Sequence, residues 1–317
     1  MLVLSAIKNV KEDIRNRLEA DFPELDFSFC HGIEEAKAEL PEAEIFITYG
    51  EDLSDELIKQ AKNLKWIMVL SAGMEKMPFS QIDKQGILVT NARGIHAIPM
   101  AEYTFTMLLQ AARQGKKVIA HEQAHIWDRK VVMNEITGKT LVVLGTGAIG
   151  QETARLAQAF RMRTIGVSKT GKLKPYFDET HPSDNWKHVL SKADFVVAVM
   201  PSTPETIEFV KPEHFEKMPA HSIFLNMGRG DLVKTETVLE AVRNGEIAHA
   251  VLDVFEEEPL PEDHVLWEEE NITVTPHVSG VSPQYQYRGF DIFSDNLERY
   301  LQGQEEFINK IDPKRGY

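Results

Sequence analysis

The segment that most restricts the fold is Leu141-Val-Val-Leu144, followed without a break by Gly145-Thr146-Gly147-Ala148-Ile149-Gly150. A short apolar run reads as a buried strand, and Gln151 to Phe160 continues as a helix-like stretch. Strand, glycine turn and helix in direct succession is the context in which this glycine spacing binds a dinucleotide. Gly145 permits the tight turn. Gly147 lets the backbone approach a pyrophosphate, and Gly150 lets helix and strand pack closely. The unpaired amides and the dipole of the helix start then favour phosphate. Without the flanking strand and helix, the same six residues would be a glycine-rich turn with no ligand.

The rest of the chain repeats the alternation. Leu2 to Ile7, Ile45 to Thr48, Trp66 to Leu70 and Leu88 to Asn91 read as buried strands, with helix-like stretches such as Lys11 to Ala20 and Ser54 to Lys62 between them. A long helix follows from Ala97 to Arg113, with Pro99 near its start, where proline is tolerated. A second series then begins: Thr140–Leu144, Thr164–Val167, Phe195–Val199, Ser222–Asn226, His249–Leu252 and Ile272–Thr275. Strands alternating with helices imply crossover units and parallel sheets. Gln286 to Gln302 reads as a final amphipathic helix. The expected fold is α/β, with two doubly wound parallel-sheet lobes.

The strand from Thr164 to Val167 leads to the position that reads the adenosine ribose. An Asp or Glu there, about 20 residues past the glycines, favours NAD. This chain has Ser168-Lys169-Thr170, and no acid lies between Arg161 and Phe177. A lysine flanked by two hydroxyls suits a 2′-phosphate. NADP is therefore the preferred cofactor, with NAD as the alternative.

Composition narrows the partners. Against 35 Lys and Arg stand 49 Asp and Glu, a net charge of −14. That balance disfavours nucleic acid, whose binders present basic surfaces, and anionic membranes alike. Cys30 is the single cysteine. No intramolecular disulfide is possible, which fits a reducing compartment. The first residues lack a signal-peptide pattern, and no apolar run is long enough to span a bilayer. A cytoplasmic location is expected.

Two other motifs compete. His121-Glu122-Gln-Ala-His125 fits the H-E-x-x-H pattern of zinc peptidases, though without a third ligand at a recognisable offset. Gly166 to Lys172 resembles a phosphate loop until Leu173, where a Ser or Thr must hold magnesium. No metal site is expected, and a zinc peptidase is kept as one alternative. Three further groups follow successive later strands: Arg229 in Asn226-Met-Gly-Arg-Gly230, Glu258 in Asp253-Val-Phe-Glu-Glu-Glu-Pro259, and His277 in Thr275-Pro-His277. Ligands of open parallel sheets bind beyond the carboxyl ends of the strands. An arginine, an acid and an imidazole there are the parts needed to reduce a keto acid.

At this point the sequence resembles the D-isomer-specific 2-hydroxyacid dehydrogenase family. The resemblance is carried by Ser71-Ala-Gly73, Asn91 to Ala97, Met100-Ala-Glu102, Gly145 to Gly150, Met200-Pro-Ser-Thr-Pro204, Asn226 to Gly230, Asp253 to Pro259 and Pro276-His277. It implies a Rossmann cofactor domain, residues 99–283, inserted in a flavodoxin-like substrate domain, residues 1–98 plus 284–317. Arg229, Glu258 and His277 take the catalytic positions. Ser71, Ala72 and Gly73 form a cradle for the substrate carboxylate, with Arg229 and His277 also on the substrate. Met200, Pro201, Thr206, Met227, Gly228 and His277 line the cofactor, and Asp253 orients its carboxamide.

The implied reaction passes hydride between the cofactor and a small anionic 2-keto or 2-hydroxy acid of D configuration. His277 moves the proton, and Glu258 favours its protonated form. His96 and Tyr49 are further pocket candidates. The family is usually dimeric, so a homodimer through the cofactor domain is expected, using the helix from Pro99 to Arg113 and the arm around Trp127. The chain departs from the family after His277, where Val278-Ser-Gly280 replaces a frequent glycine pair, and at Lys234, where Asp is frequent. It also ends before the regulatory domain of some phosphoglycerate dehydrogenases. A catalytically silent, nucleotide-sensing relative is the other alternative.

Overall fold

A computed structural model describes residues 1–314 except 72 and 75. The chain divides into two compact units, Met1–Ile95 with Ser282–Tyr317, and His96–Val281.

The first unit holds strands β1 (Leu2–Ser5), β2 (Asp26–Phe29), β3 (Ile45–Thr48), β4 (Trp66–Val69) and β5 (Leu88–Asn91), connected by helices α1 (Glu12–Asp21), α2 (Ile33–Ala36), α3 (Asp55–Gln60) and α4 (Phe79–Gln85). They form one parallel sheet in the order β2-β1-β3-β4-β5. Every residue of β3 and β4 is buried. Helices cover both faces of such a sheet, so its central strands read as continuous apolar runs. The C-terminal helix Tyr285–Leu301 returns to this unit and buries Phe290, Phe293 and Leu297 beside Val3, Ile7 and Trp66. Trp66 also donates its ring N–H to Thr90 Oγ1 at 2.9 Å, so its one polar atom is satisfied in the core.

The second unit opens with α5 (Ala97–Ala112) and α6 (Gly115–Gln123). Strands β6 (Thr140–Leu144), β7 (Arg163–Ser168), β8 (Glu179–Pro182), β9 (Phe195–Ala198), β10 (Ile223–Asn226), β11 (His249–Leu252) and β12 (Ile272–Val274) follow, with α7 (Ala148–Ala159), α8 (Pro212–Phe215) and α9 (Thr235–Arg243) among them. The sheet order is β12-β11-β10-β9-β6-β7-β8, all parallel. The strand order reverses at β6, which pairs with both β7 and β9. That reversal opens a crevice at the carboxyl ends, the position where such sheets bind ligands.

Both lobes are therefore parallel α/β sheets. The sequence pattern misses two strands, β2 and β8. Each lies at a sheet edge and contains no fully buried residue. An edge strand with a wet face carries no apolar run to read.

Candidate active site

Four loops leave the carboxyl ends of β6, β9, β10 and β11, and three glycines let their backbones meet. A Cβ on Gly145 (φ +110°) would sit 2.9 Å from Val199 O after β9, so both the turn angle and the space require glycine. A Cβ on Gly228 would sit 2.7 Å from Met200 O, and one on Gly230 only 1.9 Å from Phe255 O. The turns after β6, β9, β10 and β11 are thus in direct backbone contact in sheet order.

The glycine turn after β6 has the shape a dinucleotide needs. A Cβ at Gly150 would meet Gly145 O at 2.0 Å, so α7 packs against the turn more closely than any side chain allows. Around Gly147, by contrast, the space where a Cβ would stand is open. Gly147 is also the N-cap of α7 and has no side chain to cap it. The first amides of the helix, from Ala148 and Ile149 on, therefore point toward space that an anion can enter. Thr146 is buried beneath the turn. These residues fit a bound pyrophosphate.

The catalytic candidates come together at β11 and β12. His277 Nδ1 lies 2.8 Å from Glu258 Oε2, and the Phe255 N–H donates to Glu258 Oε1 at 2.9 Å. Both carboxylate oxygens are held. Partial burial would raise the Glu258 carboxyl. The bonds from His277 and Phe255, with the charges of His277 and Arg229, outweigh it and hold the group below its ordinary value. His277 has φ +54°, a left-handed backbone that a non-glycine residue adopts only where its surroundings impose it. Here its N–H donates to Asp253 O at 2.9 Å, and the residues after it are tied to the Asp253 side chain.

Arg229 stands on the turn between β10 and α9. Asn226 shapes that turn by accepting from Gly228 N–H and donating to Arg229 O. The Arg229 guanidinium donates to Gly228 O at 2.9 Å and is otherwise exposed.

Other sequence candidates are engaged by the protein's own hydrogen bonds or cores. Asp253 is wholly buried; its Oδ1 accepts from Thr275 Oγ1 and Val278 N–H, and its Oδ2 from Ser279 N–H. It anchors the loop that carries His277. Thr206 accepts from Thr203 N–H and donates to Pro201 O, closing its own turn. The side chains of Met200 and Met227 are buried in the two cores flanking the sheet. Sequence reasoning assigned no role to Tyr103 or Thr275. Tyr103 lies on α5 with its hydroxyl 2.6 Å from Thr275 Oγ1, a contact 172 positions away that no local pattern announces.

Ser168 ends β7, and Lys169 and Thr170 follow in a turn. Lys169 is exposed, and its Nζ lies 3.4 Å from Glu205 Oε1. The 201–206 loop therefore supplies the acid that the 161–177 stretch lacks.

Ser71 and Gly73 belong to the first unit, just past β4. The Ser71 hydroxyl has Tyr49 O at 3.0 Å and Gly73 O at 2.6 Å. Ala72 lies outside the described residues. The zinc motif breaks up: α6 ends at Gln123, and His125 lies beyond it at φ +56°. The two histidines therefore do not share a helical face. Among the described residues no group of three His, Cys, Asp or Glu side chains is placed to hold a metal.

Sheet order and glycine turn place the second unit in the Rossmann class of dinucleotide-binding domains. The model of the "D-isomer specific 2-hydroxyacid dehydrogenase, NAD binding domain" family matches residues 105–279, and the chain belongs to that family of NAD(P)-dependent 2-hydroxyacid oxidoreductases. It resembles a crystal structure of a family member from Aeromonas salmonicida, with 30% identity, TM-score 0.84 and coverage of 98% of this chain and 99% of that one. A probable 2-hydroxyacid dehydrogenase from Rhizobium etli, solved with NADP, is 27% identical with TM-score 0.80, covering 100% and 99%. The glyoxylate reductase of Pyrococcus furiosus is 29% identical over 80% of this chain and 78% of its own length. The chain spans about half the length of the D-3-phosphoglycerate dehydrogenases of Methanocaldococcus jannaschii and Archaeoglobus fulgidus. No comparison supports a peptidase or a silent nucleotide sensor.

Proposed function

We propose that the protein reduces a small 2-keto acid to the D-2-hydroxy acid, with NADP preferred over NAD. The observation that carries this reading is the His277–Glu258 pair at 2.8 Å, on a loop anchored by buried Asp253 and beside the Arg229 turn. The bound nicotinamide nucleotide supplies hydride. His277, protonated, gives its proton to the developing alkoxide, and Glu258 stabilises the imidazolium that this requires. Arg229 binds the substrate carboxylate and the keto oxygen, where a guanidinium fork suits both. The Gly145 to Gly150 turn takes the pyrophosphate. Lys169, with Ser168 and Thr170, takes the ribose 2′-phosphate, and the Rhizobium etli relative solved with NADP supports that preference. Ser71, Ala72 and Gly73 are the residues of the first unit proposed for the substrate.

The same reading carries the remaining expectations. The substrate domain is 1–98 plus 284–317 and the cofactor domain 99–283. A second copy packs on α5 and the arm, where Ile126, Trp127 and Val132 are exposed. The location is cytoplasmic, in line with the buried thiol of Cys30. No helix among the described residues is long and apolar enough to cross a membrane.

The test is a screen of NADPH and NADH oxidation over glyoxylate, hydroxypyruvate, pyruvate, and branched and aromatic keto acids. Turnover of at least one, faster with NADPH, is expected. Inertness toward all of them with both cofactors would end the reductase reading.

A further inference from the structure

The mechanism leaves without a role one polar chain that runs from half-buried Tyr103 and Thr275 to fully buried Asp253. Tyr103 Oη lies 2.6 Å from Thr275 Oγ1, and Thr275 Oγ1 lies 2.6 Å from Asp253 Oδ1. Proton counting fixes its direction. The Thr275 hydroxyl has one hydrogen, and it goes to the carboxylate, which only accepts. The Tyr103 hydroxyl must then be the donor to Thr275. Burial pushes the Tyr103 phenol up, and the Asp253 charge adds to this, so it remains a donor at every working pH.

Downstream, the same carboxylate takes the Val278 and Ser279 amides, the two residues after His277. The His277 N–H is bound to the backbone carbonyl of Asp253. Asp253 is completely buried, so each bond it accepts offsets desolvation that nothing else relieves. Rotation of its carboxyl group would break its bonds to the Val278 and Ser279 amides, the two residues that follow the His277 backbone.

We propose that Tyr103 is a positioning residue. Through Thr275 it fixes the rotation of the Asp253 carboxylate, and through that carboxylate the pose of the His277 ring toward Glu258. Neither Tyr103 nor Thr275 touches the reacting atoms. The chain ties the long helix α5 to the proton-donating loop, so the imidazole is oriented before substrate arrives. The inference rests on the proton role of His277 given above.

A double-mutant cycle tests it, with glyoxylate and NADPH as the first probe pair and any better keto acid from the screen in its place. Thr275→Val removes the relay while keeping the shape, and is expected to lower kcat about tenfold with KM for NADPH within about twofold. Tyr103→Phe alone is expected to cost about fivefold. Tyr103→Phe added to Thr275→Val should cost nothing more, because the donor has no relay left to act through. Thr275→Ser, which keeps the hydroxyl, should retain most of kcat. Additive losses in the double variant, failure of Thr275→Ser to rescue, or a rise in KM with kcat intact would overturn the proposal.

Amide hydrogen exchange of the intact protein supplies a readout without turnover. Val278 and Ser279 should exchange faster in Tyr103→Phe and in Thr275→Val, and at the wild-type rate in Thr275→Ser. Unchanged exchange in Tyr103→Phe refutes the relay even if the protein turns over no keto acid. Faster exchange there, with an inert wild type, supports the relay and rejects only the reductase reading.

Discussion

The two ends of one row of loops differ sharply in how they are held. Past β11 and β12, a fully buried carboxylate takes three hydrogen bonds, and Glu258 is fixed at both oxygens. Past β7, Lys169 extends into solvent and meets the exposed Glu205, at 3.4 Å. The Asp253 arrangement sets position, because leaving that buried carboxylate unpaired costs about 1–3 kcal/mol, and it holds the loop whose exposed His277 meets Glu258. The second sets only charge, since exposed pairs exchange readily with solvent and salt. Chemistry is therefore preorganised at one end, and cofactor preference is a balance of two mobile side chains at the other. The sequence stretch around Lys169 suggests an unopposed cation. The structure adds the opposing acid from a loop some 36 positions on.

Substitutions should separate the two ends. The largest effect is expected from Arg229→Ala, a loss in kcat/KM for the keto acid of about 10³-fold with cofactor affinity retained. A loss below tenfold would detach Arg229 from the substrate. Next, Lys169→Glu should shift the NADPH-to-NADH ratio of kcat/KM by tenfold or about that, leaving kcat with saturating NADH untouched. An unmoved ratio would remove Lys169 from cofactor choice. Glu205→Gln should move the same ratio the other way by about two- to fivefold, because it removes repulsion without adding a bond. A fall in NADPH efficiency in that variant would contradict the balance described here.

The acid side gives a subtler check. The Glu258 carboxyl titrates below its ordinary value, near 4.3 in peptides, so its bond to His277 contributes stability present above that value and lost as pH falls through the lower folded one. Two histidines dominate at milder pH. Burial lowers His249 and His214 to about 4. Between pH about 6.5 and 4 the unfolded chain binds protons that the native state refuses, so stability falls as pH falls across that window. Thermal melting from pH 7 to 4 should show this decline, and His249→Gln should flatten it. An equally steep slope in that variant would rule out His249 as a source.

How much of this was legible beforehand follows from where information is local. The glycine turn, the strands with two buried faces and the three strand-end groups lie within short windows, and their period or spacing declares them. The edge strands β2 and β8 do not, because none of their residues is fully buried. Tyr103 sits at an ordinary helix position, and only the folded chain brings its hydroxyl to Thr275. Gly230 reads as a mere flank of Arg229 and Gly228 as part of the cofactor lining, but their missing side chains are what let the Phe255 and Met200 backbones close in. The resemblance assigns Asp253 to the cofactor carboxamide, and no local pattern announces that its carboxylate also takes the Val278 and Ser279 amides.

The central claim is that His277, held by Glu258, moves the proton. The most direct measurement is single-turnover reduction by His277→Ala beside the wild type, with NADPH and keto-acid binding measured separately. Hydride transfer slowed by about 10²-fold or more, with both ligands still bound, is predicted. Near-normal turnover with binding intact would contradict the account.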